Sequence, residues 1–526
     1  MKVLVSDNLS PVGIQIFEQT PGIEVDVNTG LSPEELKAII PDYHALVIRS
    51  ATKVTADIIS AATNLKVIGR AGIGLDNVDI PAATQRGIVV MNTPEGNTVT
   101  TAEHTIAMMM ALCRNIPQAT ASLKAGKWEK KKLQGRELFN KTLGIIGAGH
   151  IGRIVADRAK GLKMKVIVYD PYLQEEVLEK LEIEPVSFDE LLSRADIITI
   201  HTPRTEETTN MINEKALGRM KKGAMLVNCA RGGIVNEDDL YDALKSGHLA
   251  GAALDVFSKE PPGMIKLMEL DNFICTPHLG ASTKEAQDNV ARDVANQIVA
   301  YLLKGEVKNA VNVPSISAEL MNVLRPYALL VEKMGLLQAQ LTGSAIREIE
   351  IKYAGAVADY DVGPLTTATL KGLLTPILKD EVNFVNASVI AAERGIKVVE
   401  AKSDTSENFA NLVVLRVKAE EGENVVAGTV FGKDIPRIVR INEFYLEAAP
   451  EGHNLLIHNE DVPGVIGDIC TMLGQSNLNI ARMQVGQYKE KRQNIIFLTT
   501  ETPVSEEVAE RLRGLEGVIS VRRIEL

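Results

Sequence analysis

Eight histidines occur in this 526-residue chain, and one of them, His278, stands in the stretch CTPHLGAST between a proline and a Leu-Gly pair. An imidazole in that setting can pack, cap a helix, hold a metal or move a proton. Two other segments place ionisable residues just beyond short apolar runs: NCARGG supplies Arg231, and DVFSKEPP supplies Asp255 and Glu260. An arginine fork grips a carboxylate through paired hydrogen bonds. An imidazole exchanges a proton with an alkoxide, and a carboxylate behind it orients the ring and favours its charged form. One cation, one carboxylate and one imidazole match the needs of hydride transfer between a 2-hydroxy acid and a 2-oxo acid. Singly, each has a plainer reading, since a loop glutamate is usually solvated and a lone histidine usually packs. No His, Cys or Asp spacing around His278 suits a metal, so the expected metal set is empty. Cys229, a small residue ending an apolar run, reads as packing before it reads as a nucleophile.

Hydride chemistry needs a carrier, and LGIIGAGHIGR offers a place for one. Gly147, Gly149 and Gly152 follow an apolar run and precede a helical pattern. Glycines at that spacing allow a tight turn, a close backbone approach to pyrophosphate and close helix–strand packing. Asp170 ends the next strand-like run, KVIVYD, and is followed by Pro171 and Tyr172 rather than arginine. A carboxylate there accepts from ribose hydroxyls and repels a 2′-phosphate, which favours NAD over NADP.

The elements that must hold these residues alternate. KVLVSD, IEVDV, ALVIRS, LKVIGRAG and GIVVMN read as strands, and SPEELKAII as a helix with Ser at its N-cap. A long helical stretch, VTTAEHTIAMMMALCRNIPQATASL, leads to a second series from TLGIIGAGHIG through FICTPHLG, and a helix over about 283–303 follows. Alternation at this spacing predicts parallel sheets. The glycine motif begins only after one full α/β series, so the expected fold is α/β, with two Rossmann-like doubly wound domains and the cofactor domain inserted in the other. After AVNVPSIS the pattern changes, and residues 318–450 carry no motif tied to chemistry. The last 74 residues spell βαββαβ, a ferredoxin-like module.

Composition limits the alternatives. Some three to four domains fit this length. A net charge of −11 argues against nucleic acid and anionic membrane as partners. The longest apolar run, TIAMMMALC, falls far short of a membrane span, MKVLVSDNLS does not read as a signal peptide, and four scattered cysteines suit a reducing cytoplasm.

The set LGIIGAGHIGR, NCARGGIVNEDDL, GAALDVFSKEPP and PHLGASTKEA resembles the D-2-hydroxyacid dehydrogenases. VIRSATKVTADII, VIGRAGIGLDNVDIPAA, MNTPEGNTVTTAEHT and GKWEKKKLQG resemble the long-form, phosphoglycerate-oxidising branch of that family. The likeness is dense over residues 1 to about 305. It implies a substrate-binding domain at 1–97 and 284–311, an NAD-binding domain at 98–283, an α+β intervening domain at 312–450 and an ACT domain at 453–526. It implies NAD-dependent oxidation of 3-phospho-D-glycerate to 3-phosphohydroxypyruvate, opening L-serine biosynthesis, by a cytoplasmic homodimer or homotetramer. Catalytic roles fall on Arg231, Glu260 and His278. NAD contacts fall on His150, Ile151, Asp170, Thr202, Cys229, Ala230, Arg231, Asp255, His278, Leu279, Gly280 and Ala281, beside the three glycines.

A phosphorylated acid needs cations for two anionic ends. Arg49, Ser50 and Lys53 in IRSATK, with Arg70, Gly72 and Gly74 in GRAGIG, stand at strand ends of the first domain and are the expected substrate contacts. Lys130 to Lys132, beside Trp128, are a second phosphate candidate, or a solvated helix face. HNEDVPGVIGDICTMLGQSNLNIARM resembles an ACT effector signature, which implies that Asn459, Asp461 and Asn479 contact L-serine between paired modules; a module used only for oligomerisation is the alternative. A related enzyme acting on glycerate, glyoxylate or lactate, and a nicotinamide-sensing corepressor, are the competing readings of the whole chain.

Overall fold

The structure, a computed structural model, describes residues 1–173, 182–313, 318–405, 408–488 and 490–526. The last four residues of AVNVPSIS lie outside them.

Five short apolar runs form a parallel sheet: β1 (Lys2–Val5), β2 (Glu24–Val27), β3 (Ala45–Ile48), β4 (Val67–Arg70) and β5 (Val89–Met91), ordered β2-β1-β3-β4-β5. The helix expected at SPEELKAII begins where the sequence places it. Ser32 Oγ accepts from the Glu35 amide and the Glu35 carboxylate accepts from the Ser32 amide, a reciprocal cap on helix Pro33–Ile39.

A second parallel sheet contains β6 (Thr142–Ile146), β7 (Lys165–Tyr169), β8 (Glu184–Pro185), β9 (Ile197–Ile200), β10 (Met225–Asn228), β11 (Gly251–Leu254) and β12 (Phe273–Cys275), ordered β12-β11-β10-β9-β6-β7-β8. The order reverses between β6 and β9, and ligands bind open α/β sheets beyond the carboxyl ends of strands at such a point. The doubly wound fold class holds for both sheets.

The chain then returns to the first lobe. Thr283 caps helix Lys284–Lys304, whose Val290, Ala291, Val294, Ala295 and Ile298 are buried against Val3, Val5 and Phe17. In β4, a Cβ on Gly69 would stand 2.5 Å from Ile298 Cδ1, so the glycine makes room for this helix. The second lobe is thus inserted in the first.

One expectation fails. The stretch from Val99 to Leu123 is two helices, Thr98–Cys113 and Ile116–Lys124. Asn115 adopts φ 53° between them and Pro117 opens the second. Asn tolerates the left-handed region, and a proline inside a continuous helix would clash with the carbonyl four residues back.

Beyond residue 318, β13 (Ile346–Gly355), β14 (Lys397–Ser403), β15 (Asn411–Ala419), β16 (Gly422–Phe431), β17 (Ile435–Ile441) and β18 (Phe444–Ala448) form a mixed sheet, ordered β14-β13-β15-β16-β17-β18. Helices Ala318–Leu341 and Gly363–Leu378 share its core, with Leu330, Met334, Leu337 and Leu373 against Ile349, Ile351 and Val413. The final sheet is antiparallel, β20 (Ile480–Tyr488), β21 (Gln493–Thr500), β19 (His453–Glu460) and β22 (Val518–Glu525) in that order. Its helices bury Ile469, Leu473 and Leu512 against Leu455, Ile457 and Ile496, the βαββαβ module expected.

Candidate active site

The glycine loop leaves β6 and enters helix His150–Gly161 with Gly149 as its N-cap. Gly147 has φ 91°, a conformation that favours glycine, and a Cβ on Gly152 would collide with the Gly147 carbonyl. Among the described residues nothing lies within 4 Å of where a Cβ on Gly149 would stand, which leaves room for an anion at the helix start. His150 is exposed and Ile151 half-buried beside it. Asp170, at the end of β7, accepts from the Ala148 amide at 2.8 Å and from the Tyr172 amide at 3.0 Å. Thr202 Oγ1 and His201 Nδ1, past the end of β9, are buried without a partner among the described residues. Burial holds the His201 imidazole down to about 3, hence neutral. The open helix start, glycine cradle and strand-end carboxylate fit a dinucleotide.

β10, β11 and β12 are neighbours, so the loops after them meet. Asn228 ties down the first: its Nδ2 donates to Arg231 O at 2.9 Å and its Oδ1 accepts from the Ala230 amide at 3.0 Å. Cys229 is buried in the lobe's core, and burial pushes its thiol up to about 12, which suits packing. Gly232 is required because a Cβ there would collide with the Phe257 carbonyl. The loop bearing Glu260 is thereby pressed against the loop bearing Arg231. Glu260 Oε1 accepts from the Phe257 amide at 3.1 Å, and its Oε2 lies 2.7 Å from His278 Nδ1. His278 has φ 56°, in the left-handed region that few residues other than glycine adopt. Its side chain is 49% exposed, so the ring borders open space.

Asp255 stands under that turn. Its carboxylate has no exposed surface and accepts from the Leu279 amide at 2.7 Å, the Gly280 amide at 2.8 Å and Thr276 Oγ1 at 2.6 Å. Burial alone would raise its pKa; hydrogen bonds from His104, Thr276 and Leu279 outweigh it and hold the carboxyl below its usual range. Asp255, expected at the cofactor, also anchors the Leu279–Gly280 backbone from within. Leu279 is exposed and Ala281 half-buried on the other side. Sequence reasoning missed His104, whose Nε2 lies 3.2 Å from Thr276 Oγ1 and 3.3 Å from Asp255. Its partners are over 150 residues away, so no local pattern marks it.

The first lobe faces these loops with cations. Burial, then the neighbouring Arg231, bring the Arg70 guanidinium down to about 10, and its Nε is buried without a partner among the described residues. A Cβ on Gly74 would collide with Arg231 Nη2, and one on Gly72 with Arg70 Nη1. Arg49 donates from Nη1 to Asn8 O at 3.0 Å, while its amide donates to Asp7 at 2.6 Å. Ser50 and Lys53 are exposed on the same loop. Arg49, Arg70 and Arg231 thus stand near one another. Asp76, which the sequence reading passed over, pairs with Arg231 at 3.1 Å. Lys130 to Lys132 stand in turns rather than on a helix; Lys132 pairs with Glu129 at 2.9 Å, beside a Trp128 that is 82% exposed. Among the described residues no group of three or more His, Cys, Asp or Glu could hold a metal ion, and no helix is long and apolar enough to cross a membrane.

In the C-terminal module the three expected effector residues do not meet. Asn459 and Asp461 lie at one end of β19, where Asp461 accepts from Asn494 Nδ2 at 2.9 Å. Asn479 precedes β20 at the other end of the sheet, and its Nδ2 donates to Glu501 at 2.8 Å.

Two α/β lobes, a dinucleotide cradle and an Arg–Glu–His set on adjoining loops define a nicotinamide-dependent 2-hydroxyacid dehydrogenase. Residues 106–280 match the family model of the D-isomer specific 2-hydroxyacid dehydrogenase NAD-binding domain, residues 323–442 the D-3-phosphoglycerate dehydrogenase intervening domain, and residues 453–517 the ACT domain. The chain is 46% identical over 529 residues to a D-3-phosphoglycerate dehydrogenase of Archaeoglobus fulgidus, covering 100% of both chains. It is 41% identical to that of Bacillus subtilis, covering 100% of this chain and 99% of that one. An NAD-dependent formate dehydrogenase from Staphylococcus aureus, solved with NAD, superposes with a TM-score of 0.54 at 32% identity, over 60% of this chain and 100% of that chain. The chain belongs to the D-3-phosphoglycerate dehydrogenases, NAD-dependent enzymes of the D-2-hydroxyacid dehydrogenase family.

Proposed function

We propose that this chain oxidises the C2 hydroxyl of 3-phospho-D-glycerate to the ketone of 3-phosphohydroxypyruvate, the step that opens L-serine synthesis. Bound NAD supplies the acceptor for the C2 hydride. Gly147, Gly149 and Gly152, with the exposed start of the following helix, receive its pyrophosphate, and Asp170 its ribose; His150, Ile151, Thr202, Cys229–Arg231 and His278–Ala281 line its path. Arg231 grips the substrate carboxylate and polarises C2–O. His278 accepts the hydroxyl proton on Nε2, because a carboxylate only accepts and Nδ1–H is therefore committed to Glu260. Glu260 stabilises the imidazolium that results. Arg70, with Arg49, Ser50, Lys53 and the amides of Gly72 and Gly74, takes the remaining anionic charge of the substrate.

The observation that carries this reading is the 2.7 Å His278–Glu260 pair on a loop beside Arg231. NADH consumption with 3-phosphohydroxypyruvate, measured beside pyruvate and glyoxylate, tests it. A strong preference for the phosphorylated acid is expected, and equal rates would overturn it.

L-Serine binds the C-terminal module between two copies of the chain. Asn459 and Asn494, opposite one another in β19 and β21, each have a buried Oδ1 without a partner among the described residues, beside the Asp461 carboxylate. That end of the sheet suits an ammonium group, and Asn479 reaches the same ligand only from a second module. The working assembly is accordingly a homodimer or homotetramer. The four free cysteines of each chain suit the cytoplasm.

A further inference from the structure

The Arg231 guanidinium belongs to the cofactor lobe, yet most of what surrounds it comes from the other lobe. Its Nη1 donates to Ala230 O at 2.7 Å, within its own loop. Its Nε donates to Asp76 Oδ2 at 3.1 Å, and its Nη2 lies in the space that Gly74 leaves. Arg70, also of the first lobe, is near enough for the two cations to repel one another, and Asp76 is the anion that acts on both.

Asp76 does not reach out from a loose loop. The next residue, Asn77, donates through Nδ2 to Arg49 O at 2.8 Å and to Thr52 O at 2.6 Å. Its carbonyl accepts from the Val54 amide at 2.8 Å, and Val78 bridges to Val54. The backbone of Arg231 is braced as well, by Asn228. With both backbones held, the Arg231–Asp76 contact depends on how far apart the two lobes stand.

The geometry points to Asp76 as a positioning residue, whose carboxylate, presented from across the cleft, fixes the rotation of the Arg231 guanidinium and offsets its repulsion by Arg70. This rests on Arg231 gripping the substrate carboxylate. Asp76 and Ala230 O hold Nε and Nη1, so Nη2 and the second hydrogen of Nη1 remain for the substrate. Arg231 is then aligned when the lobes stand as they do here and is free to rotate when they part, which couples cleft closure to substrate grip. A rival role has the opposite sign. Were Asp76 merely a stand-in anion that substrate must displace, removing its charge would tighten binding.

Asp76→Asn, Asp76→Glu and Arg231→Gln would be compared by steady-state kinetics with 3-phosphohydroxypyruvate and by fluorescence titration with NADH. Asp76→Asn should raise KM about tenfold, the scale of one misaligned charge-assisted contact, with a smaller fall in kcat and unchanged NADH affinity. Asp76→Glu should recover part of that loss. An unchanged or lowered KM in Asp76→Asn, alongside a raised KM in Arg231→Gln, overturns the positioning role and leaves the Arg231 assignment standing. An Asp76→Glu variant as poor as Asp76→Asn also overturns it. If Arg231→Gln itself leaves KM unmoved, the assignment of Arg231 fails first and the role of Asp76 goes with it.

Discussion

His278 Nδ1 and Glu260 Oε2 face each other at 2.7 Å, and that contact decides which ring nitrogen is left to exchange a proton. General acid–base groups contribute some 10²–10⁴-fold. His278→Asn is expected to lower kcat by about that range while NADH still binds. Glu260→Gln keeps a side chain of the same shape without its charge and should cost less, about tenfold to a hundredfold. Turnover unaltered in His278→Asn would remove the centre of the mechanism.

Arg70 is a first-lobe cation close enough to Arg231 for the two to repel, and its loss should be felt in selectivity. A hydrogen bond to a charged group contributes about 1.5–3 kcal/mol. Arg70→Ala should therefore reduce the ratio of kcat/KM for phosphohydroxypyruvate to that for pyruvate by at least about tenfold. A ratio equal to the parent's would relocate the phosphate contact, with Lys53 the next residue to test.

Asp170 performs two tasks, bracing the Ala148 amide and presenting a negative charge at the end of β7. Asp170→Ala should weaken NAD binding and raise the relative use of NADP, since the repulsion of a 2′-phosphate goes with the carboxylate. Initial rates with both cofactors give the ratio. Efficiencies that fall in parallel would assign Asp170 to loop support alone.

Asp255 makes stability depend on acid. Its folded-state pKa lies below the ordinary value of about 3.9. Its contribution is therefore present above that pH and lost as pH falls through the lower, folded value. Urea unfolding between pH 6 and 3 should show the parent weakening at the acid end. Asp255→Asn, in which one oxygen becomes a donor facing the Leu279 or the Gly280 amide, should be destabilised at neutral pH by about 1–3 kcal/mol and lose part of that acid dependence. A parent and variant with parallel pH profiles would show that the Leu279–Gly280 turn does not need this charge.

Serine binding has its own readout. Millimolar L-serine should raise the melting temperature of the parent, because a ligand that binds only the folded state stabilises it. Asn459→Ala should abolish the shift without altering turnover in the absence of serine. No shift in the parent would leave the module to assembly alone.

How far the sequence could be read depended on how local each signal was. Strand ends, the Ser32 cap and the glycine cradle are written within about ten residues, and all three stand where their patterns place them. His278 and Glu260 could be named because each follows a recognisable apolar run. His104 and Asp76 could not: His104 finds Thr276 at a separation of 172 residues, and Asp76 finds Arg231 at 155. The helix break at Asn115 was written in the chain, as Asn followed closely by Pro117. Asn459 and Asn479 were expected to share a ligand between paired modules; within one module an antiparallel sheet sends the ends of that compact motif apart.

The insertion of one lobe within the other also bears on how the protein is made. The cofactor lobe is continuous in the chain and can complete its core as it emerges from the ribosome. The first lobe cannot, because β1 to β5 lack Val294 and Ile298 until about 200 more residues have been added. At some 5–20 residues per second that is a wait of roughly 10–40 s. During it, the face of a parallel sheet that will receive helix Lys284–Lys304 stays uncovered, so the amino-terminal strands are the part of the newborn chain most exposed to wrong partners.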